Sequence, residues 1–407
     1  MIGIGTSQQT DTHKAATEAI QMALRTFERA SFVLAFCANR HQPDDFLSAL
    51  RDHVGDVPIV GGAAVGTISH SVLGYVGYEC AIAAFSSKLP PPTVIAEPGL
   101  DWDEIAVGQR IGQRLREAAN PGDTVLLFYD SIRSSPPPVL NVGSRLVDGI
   151  YAGLGDKQIT LVGAGTASDF QLMSSFIFDG RATVRQAAVA VALPAIWRSH
   201  TTVMHGCTPV SSFLEITKAE GAVIHELDGL PAMEALRQRL GHDADALQPE
   251  NLSLALTLGR KHGDLFAPYD EALYVNRLIM GADPDTGSIT LFEADFAEGE
   301  KVQIMSRDNQ KMRDSVRRRT SELVAAPEAA NPVFALYIDC AGRASAFSGG
   351  EEEEASVLRA ELGSHIPLLG FYSGVEIAPM LGRNRPLDWT GVLTLFTLEG
   401  PDGRYRT

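Results

Sequence analysis

The strongest constraint on this chain is an apolar run closed by glycine that occurs three times. Residues 57–66 read VPIVGGAAVG, 159–168 read ITLVGAGTAS and 366–380 read IPLLGFYSGVEIAPM. The closing glycines are Gly61, Gly163 and Gly370. Such a run predicts a buried strand that breaks at its carboxyl end. The neighbours repeat too. An apolar strand candidate lies upstream (32–37, 124–129, 333–338), a helix candidate between (43–54, 138–154, 351–362) and a further strand downstream (79–85, 187–193, 392–398). A strand–helix–strand–strand unit found three times implies duplication. The expected fold class is α/β (mixed α+β), with sheets flanked by helices. At 407 residues two domains are expected, 1–200 and 201–407, divided where the pattern changes around 198–206.

The regions outside the units extend this reading. A strand at 2–6 precedes a helix whose apolar stripe is Ala15, Ala19, Met22, Ala23 and Phe27, with Thr10, Asp11 or Thr12 as its cap. A second amphipathic helix is expected over 103–119. Residues 213–227 read as a hairpin, and 252–258, 274–280, 288–291 and 301–305 as strands. A helix over 307–325 carries Arg313, Arg317, Arg318 and Arg319, expected to form a solvated face rather than a patch for an acidic partner. Glu351 to Glu354 open the last helix, where carboxylates suit the macrodipole. The tail 400–407 is expected to fray.

Charge and cysteine usage narrow the function classes. The chain has 34 Lys and Arg against 50 Asp and Glu, a formal charge of −16. That balance disfavours nucleic acid and anionic membrane surfaces as partners. Cys37, Cys80, Cys207 and Cys340 lie far apart with no C-x-x-C pair, so a reducing compartment is expected and a zinc finger is not. The N-terminal segment MIGIGTSQQTDTHK lacks a basic region followed by an apolar one. The longest apolar stretch, 187–197, contains Pro194 and is shorter than the roughly 20 residues that span a bilayer. A cytoplasmic protein without membrane insertion is expected.

Candidate site residues cluster after the repeated strands, where α/β sheets tend to bind ligands. The loops there carry Asn39 and Arg40, Asp130 and Arg133, and Arg343. Tyr372 and Glu376 flank Gly374 in the third run. Arginines suit a ligand carboxylate, and the acids suit an amine. His205 and Cys207 form a compact pair that cannot complete a zinc site alone. Haem needs only one or two axial ligands, so His205, Cys207 and His70 are kept as candidates for it. Gly3-x-Gly5 and residues 162–168 are incomplete phosphate-loop patterns. There is no G-x-S-x-G elbow, P-loop or H-E-x-x-H, so an enzyme is the less favoured class.

Ordered phrases in the chain resemble the FIST family of bacterial sensory domains. In the C-terminal half these are TKAEGAVIHELDGLPAMEAL, YVNRLIMGADPDTGSITLFEADFAEGEKVQIMSRD, DCAGR and IPLLGFYSGVEIAP; in the N-terminal half, FVLAFCANR and VPIVGGAAVG. The likeness runs from about residue 30 to 398. One departure is that Val375 separates Gly374 from Glu376, where the usual phrase has glycine directly before Glu-Ile. The resemblance implies a FIST N-terminal-like and a FIST C-terminal-like domain. It implies a sensor that binds an amino acid or related metabolite and relays this to a signalling partner. For some stand-alone members it implies a haem protein that responds to nitric oxide and acts on a histidine kinase.

Overall fold

A computed structural model describes residues 1–241 and 247–399. The expected fraying of 400–407 lies outside the described residues. The three units form as expected, and each is larger than its sequence signal. Unit 1 contains strand Ala30–Cys37, helix Pro43–Val54, and strands Ile59–Ala63 and Cys80–Ser86. The corresponding strands are Thr124–Asp130, Thr160–Thr166 and Ala187–Ala192 in unit 2, and Phe334–Cys340, Leu368–Ser373 and Gly391–Leu398 in unit 3. An extra antiparallel strand leads each sheet: Ile2–Ser7, Thr93–Pro98 and Trp197–Met204. An extra helix covers each one: Thr12–Ala23, Glu104–Ala118 and Asn309–Ala325. Asp11 caps the first of these by accepting from the Lys14 N–H.

Within each unit the first and middle strands are parallel, and the last runs antiparallel to the first. Strand alternation then divides the side chains between two cores. Phe32, Leu34 and Phe36, Leu126 and Phe128, and Phe334, Leu336 and Ile338 all enter one shared central core. Their alternating neighbours pack against the helices of their own unit, as Val33 and Ala35 do with Ala19 and Phe46. At the centre the Phe36 and Phe371 rings stack at 3.9 Å, and the Phe128 ring lies 5.3 Å from Phe36. Because both faces are covered, the strands read as unbroken apolar runs.

The units exchange strands in a ring. Gly66–Ile68, which follows the middle strand of unit 1, pairs with Leu368–Ser373 of unit 3. Val375–Met380 of unit 3 pairs with Thr160–Thr166 of unit 2. Ile177–Gly180 of unit 2 pairs with Ile59–Ala63 of unit 1. Each sheet therefore has four strands of its own and two from a neighbour. Residue 200, where the sequence pattern divides the chain, lies inside the strand Trp197–Met204, and two of the sheets draw strands from both sides of it.

Unit 3 is interrupted by an insertion. Its strands Leu214–Glu220, Val223–Leu227, Ile289–Leu291, Tyr274–Ala282, Leu256–Lys261 and Lys301–Ser306 pair in that order, and the last returns to the first to close a barrel. Two sequence expectations are corrected. The strand expected at 252–258 is a helix, Pro249–Ala255, followed by the strand Leu256–Lys261. Its alternating leucines look strand-like, but proline at the helix start favours the helical turn. The helix expected from residue 138 begins at Gly143, because Ile132–Ser134 and Val139–Leu140 pair as a hairpin first.

The repeated glycine has a steric cause. A Cβ on Gly163 would lie 1.8 Å from the Leu127 carbonyl oxygen, and one on Gly61 would lie 2.0 Å from that of Ala35. Both oxygens belong to the parallel neighbour at the same register. We predict that Gly163→Ala costs roughly 3 kcal/mol or more, read as a lower urea midpoint. Gly281→Ala, where a Cβ meets nothing within 4 Å, is the control and should cost under about 0.5 kcal/mol. Equal midpoints for the two variants would sink this account of the repeat.

Candidate functional site

The carboxyl ends of the unit 3 strands meet the loop after Thr160–Thr166 and the rim of the barrel. An open cleft of about 630 Å³ lies between them. Its floor is Cys340 to Gly342, Ser373, Gly374 and Trp389, and its walls include Phe170, Leu278, Met280, Phe292 and Phe347. The Phe170 and Phe347 rings stack at 6.1 Å with planes 7° apart. Phe347 sits on the short helix Ser345–Ser348. The chemistry is mostly apolar, with Asp169, Ser253 and Ser373 as the polar side chains. Asp169 is turned to its own loop, accepting from the Gln171 and Met173 N–H groups.

Trp389 is held under strain at the floor. Its φ is +64°, a left-handed conformation that costs a residue of this size on the order of 1–3 kcal/mol. Gly342 lies against the ring, and a Cβ there would be 2.6 Å from the indole carbons. The Arg307 guanidinium lies 4.4 Å from the ring centre. Among the described residues the buried indole N–H has no hydrogen-bond partner. Surroundings that fix a strained, unsatisfied aromatic at a cleft mark that cleft as a functional candidate.

Under the floor lies a layer of buried charge, and three of the sequence-picked residues belong to it. Arg343 is 2% exposed. Its Nε lies 2.6 Å from Glu354 and 3.2 Å from Asp339, and its Nη1 donates to the carbonyls of His205 and Trp389. One guanidinium thus faces two carboxyls. Burial and the neighbouring Glu354 push Asp339 well above the carboxylate range. Tyr372 donates to Glu353, which also accepts from Tyr75 and from both the backbone and hydroxyl of Ser345. Glu376 accepts from Ser373 at 2.7 Å and Thr390 at 3.0 Å, and burial pushes its carboxyl up to about 8. Glu353 and Glu354 do more at the helix start than complement the macrodipole. Their pairing with Arg343, Tyr75 and Tyr372 is long-range, and nothing local in the sequence signals it.

The other picks lie apart from the cleft. Asn39 and Arg40 are exposed, with Arg40 over the Tyr78 ring at 5.0 Å. Asp130 accepts from the Ile132 and Gln186 N–H groups, while Arg133 pairs with Glu104 and donates to Asn141. These contacts fasten strand ends within unit 2. The helix arginines are also partly committed: Arg318 and Arg319 both pair with buried Glu271. Burial opposes the Glu271 charge, yet the Gly206 N–H, Ser315 and Arg319 hold its carboxyl down at about 2.

The haem candidates do not fit that group. His205 is 1% exposed and both ring nitrogens are engaged: Nε2 donates to the Glu271 carbonyl, and Nδ1 accepts from the Cys207 N–H. Cys207 is fully buried, and burial pushes its thiol up to about 11. His70 bonds the Ile366 carbonyl at 2.8 Å through Nε2 and lies in a different unit. None of the three lines the cleft.

The buried carboxyls make stability depend on pH. A folded-state pKa raised above its unfolded value favours the protonated native state. The resulting stabilisation is full below the unfolded pKa and is lost as pH rises through the folded one. For Glu376 that window runs from 4.5 to about 8. Glu293, raised to about 7 by burial, adds to the same trend. The protein should therefore lose ~3 kcal/mol of stability between about pH 5.5 and pH 8.5 through Glu376 alone. Glu376→Gln should flatten this part of the urea-midpoint profile, and an unchanged slope would refute the assignment.

The FIST N domain model matches residues 31–230, and the FIST C domain model matches 232–379. The uncharacterised protein MT0656 of Mycobacterium tuberculosis is 29% identical over 97% of this chain and 99% of its own length. Mb0898c of Mycobacterium bovis, also uncharacterised, is 33% identical over 54% of this chain and 56% of its own. A chorismatase crystal structure aligns over 92% of this chain and 94% of its own, at 10% identity and a TM-score of 0.34. That likeness is too loose to carry an argument. FIST domains are generally sensor domains of signal transduction. With both domain models matched in order, this chain belongs to the FIST family.

Proposed function

We propose that this protein is a sensory binding protein, not an enzyme, that takes a small metabolite with an apolar body into the cleft over Trp389. An apolar amino acid or its derivative is the favoured class. The observation that carries this reading is the aromatic and aliphatic lining of the cleft over a strained, unsatisfied indole. Few polar groups at an otherwise apolar site suit ligand orientation. A binding role is favoured over catalysis because the lining lacks an activated nucleophile. Burial and Glu376 push the Cys340 thiol well above its ordinary value, away from thiolate chemistry.

The relay to a signalling partner would run through the clasp at Glu353. A ligand pressing on Phe347 moves the helix Ser345–Ser348, whose Ser345 shares Glu353 with Tyr75 of unit 1 and Tyr372 of unit 3. Binding is thereby coupled to the exchanged hairpin. The partner proposed is a histidine kinase or similar protein in the cytoplasm.

Thermal-shift screening with the twenty amino acids and their 2-oxo acids tests the reading. We expect at least one apolar member to raise the melting temperature and to change Trp389 emission saturably. Ala341→Trp, which fills the cleft, should abolish both effects. If no member of the panel binds, or if the filled variant binds as the parent does, the cleft is not the sensory site.

A further inference from the structure

A second cleft, of about 690 Å³, lies where the start of helix Gly143–Leu154 meets the barrel and the strand Arg383–Leu387. Four arginines line it: Arg145, Arg260, Arg383 and Arg385. Two carboxylates, Asp148 and Asp295, line it as well, so the arginines outnumber the acids four to two on a chain with a formal charge of −16. Three of them have carboxylate partners. Arg145 pairs with Glu104, Arg260 with Glu300 and more distantly Asp295, and Arg383 with Asp148.

Arg385 is different. It is half-buried, and its Nε donates to the Met380 carbonyl at 3.3 Å. Among the described residues no carboxylate lies within ion-pair distance of it. Burial first, then the nearby Arg260 and Arg383, push its pKa down against the opposing pull of Asp295. Burial first, then Arg385 and Arg260, push His262 down to about 4. Glu293 already occupies the helix start, accepting from the Gly143 and Ser144 N–H groups, so the arginines and not the helix end would hold a ligand here. Arg385 is thus a half-buried fork without a direct ion-pair partner among the described residues, with Asp295 acting on it from beyond ion-pair distance.

We propose that this cleft is a second ligand site, which takes the phosphate or diphosphate group of a phosphorylated small molecule. The planar fork of Arg385 would grip two oxygens, with Arg383 and Arg260 neutralising the remaining charge. The few apolar contacts, Val147, Ala294 and Pro386, favour a compact polar ligand over a lipid chain. The site shares no lining residue with the cleft over Trp389, so it stands independently of the sensory reading.

Titration calorimetry of the full chain with pyrophosphate, at fixed ionic strength in chloride, is the test. The expected result is saturable binding of one pyrophosphate per chain, weakened about tenfold or more by Arg385→Gln. Arg383→Gln, at a half-exposed position that folding tolerates, should weaken it in the same direction. Arg317→Gln, on the distant helix Asn309–Ala325, should leave it unchanged. Three results would overturn the proposal: binding that never saturates, Arg385 and Arg383 variants that bind as tightly as the parent, or malonate binding as tightly as pyrophosphate.

Discussion

The three sheets depend on the contact between Phe36, Phe128 and Phe371, where they converge. Phe36 and Phe128 occupy matching places on the first strands of units 1 and 2, one residue beyond Ala35 and Leu127, which pair with the repeated glycines. The matching place in unit 3 is Ile338, and the third ring comes instead from its register partner Phe371. The approximate threefold repeat is thus broken at its centre to fit three rings into one space. Tight aromatic packing of this kind fixes how the sheets face one another. The positions of the strand ends, and so of the cleft, follow from it.

The same strand ends show how a duplicated scaffold can become specialised. After the strand Phe334–Cys340 the chain places Arg343 against two carboxyls, while the matching end in unit 1 exposes Arg40 to solvent. Only unit 3 has the barrel inserted beside it, and the barrel supplies Leu278, Met280 and Phe292 to the cleft. Burial by the insertion turns one of three related ends into a low-dielectric site, where unpaired polar groups and titrating carboxyls carry large energies.

Much of the fold could be read from the sequence, because apolar periodicity and glycine punctuation are local signals. Helix Pro43–Val54 and the repeated strands followed directly from them. The exchange of strands between units was not legible, since a hairpin such as Gly66–Ile68 looks the same whether it pairs at home or abroad. The site was legible only in part. Polar residues at strand ends drew attention to Arg343, Tyr372 and Glu376, which form the layer beneath the cleft. The apolar residues that line it, among them Phe170, Phe347 and Trp389, look like ordinary core in a linear chain. Asp130 and Arg133 resembled ligand contacts but fasten loops, and only their partners Gln186 and Glu104, tens of residues away, reveal this.

The ring of exchanged strands gives the molecule no ends in the mechanical sense. An open stack of repeats has terminal members with a single neighbour, and these loosen first. Here every unit gives a strand to one neighbour and receives one from the other, so each serves as its neighbour's edge protection. Peeling away any unit strips hydrogen bonds from two sheets at once. Partial opening is therefore penalised wherever it begins, and the three units behave as a single cooperative body despite their separate helices and outer cores.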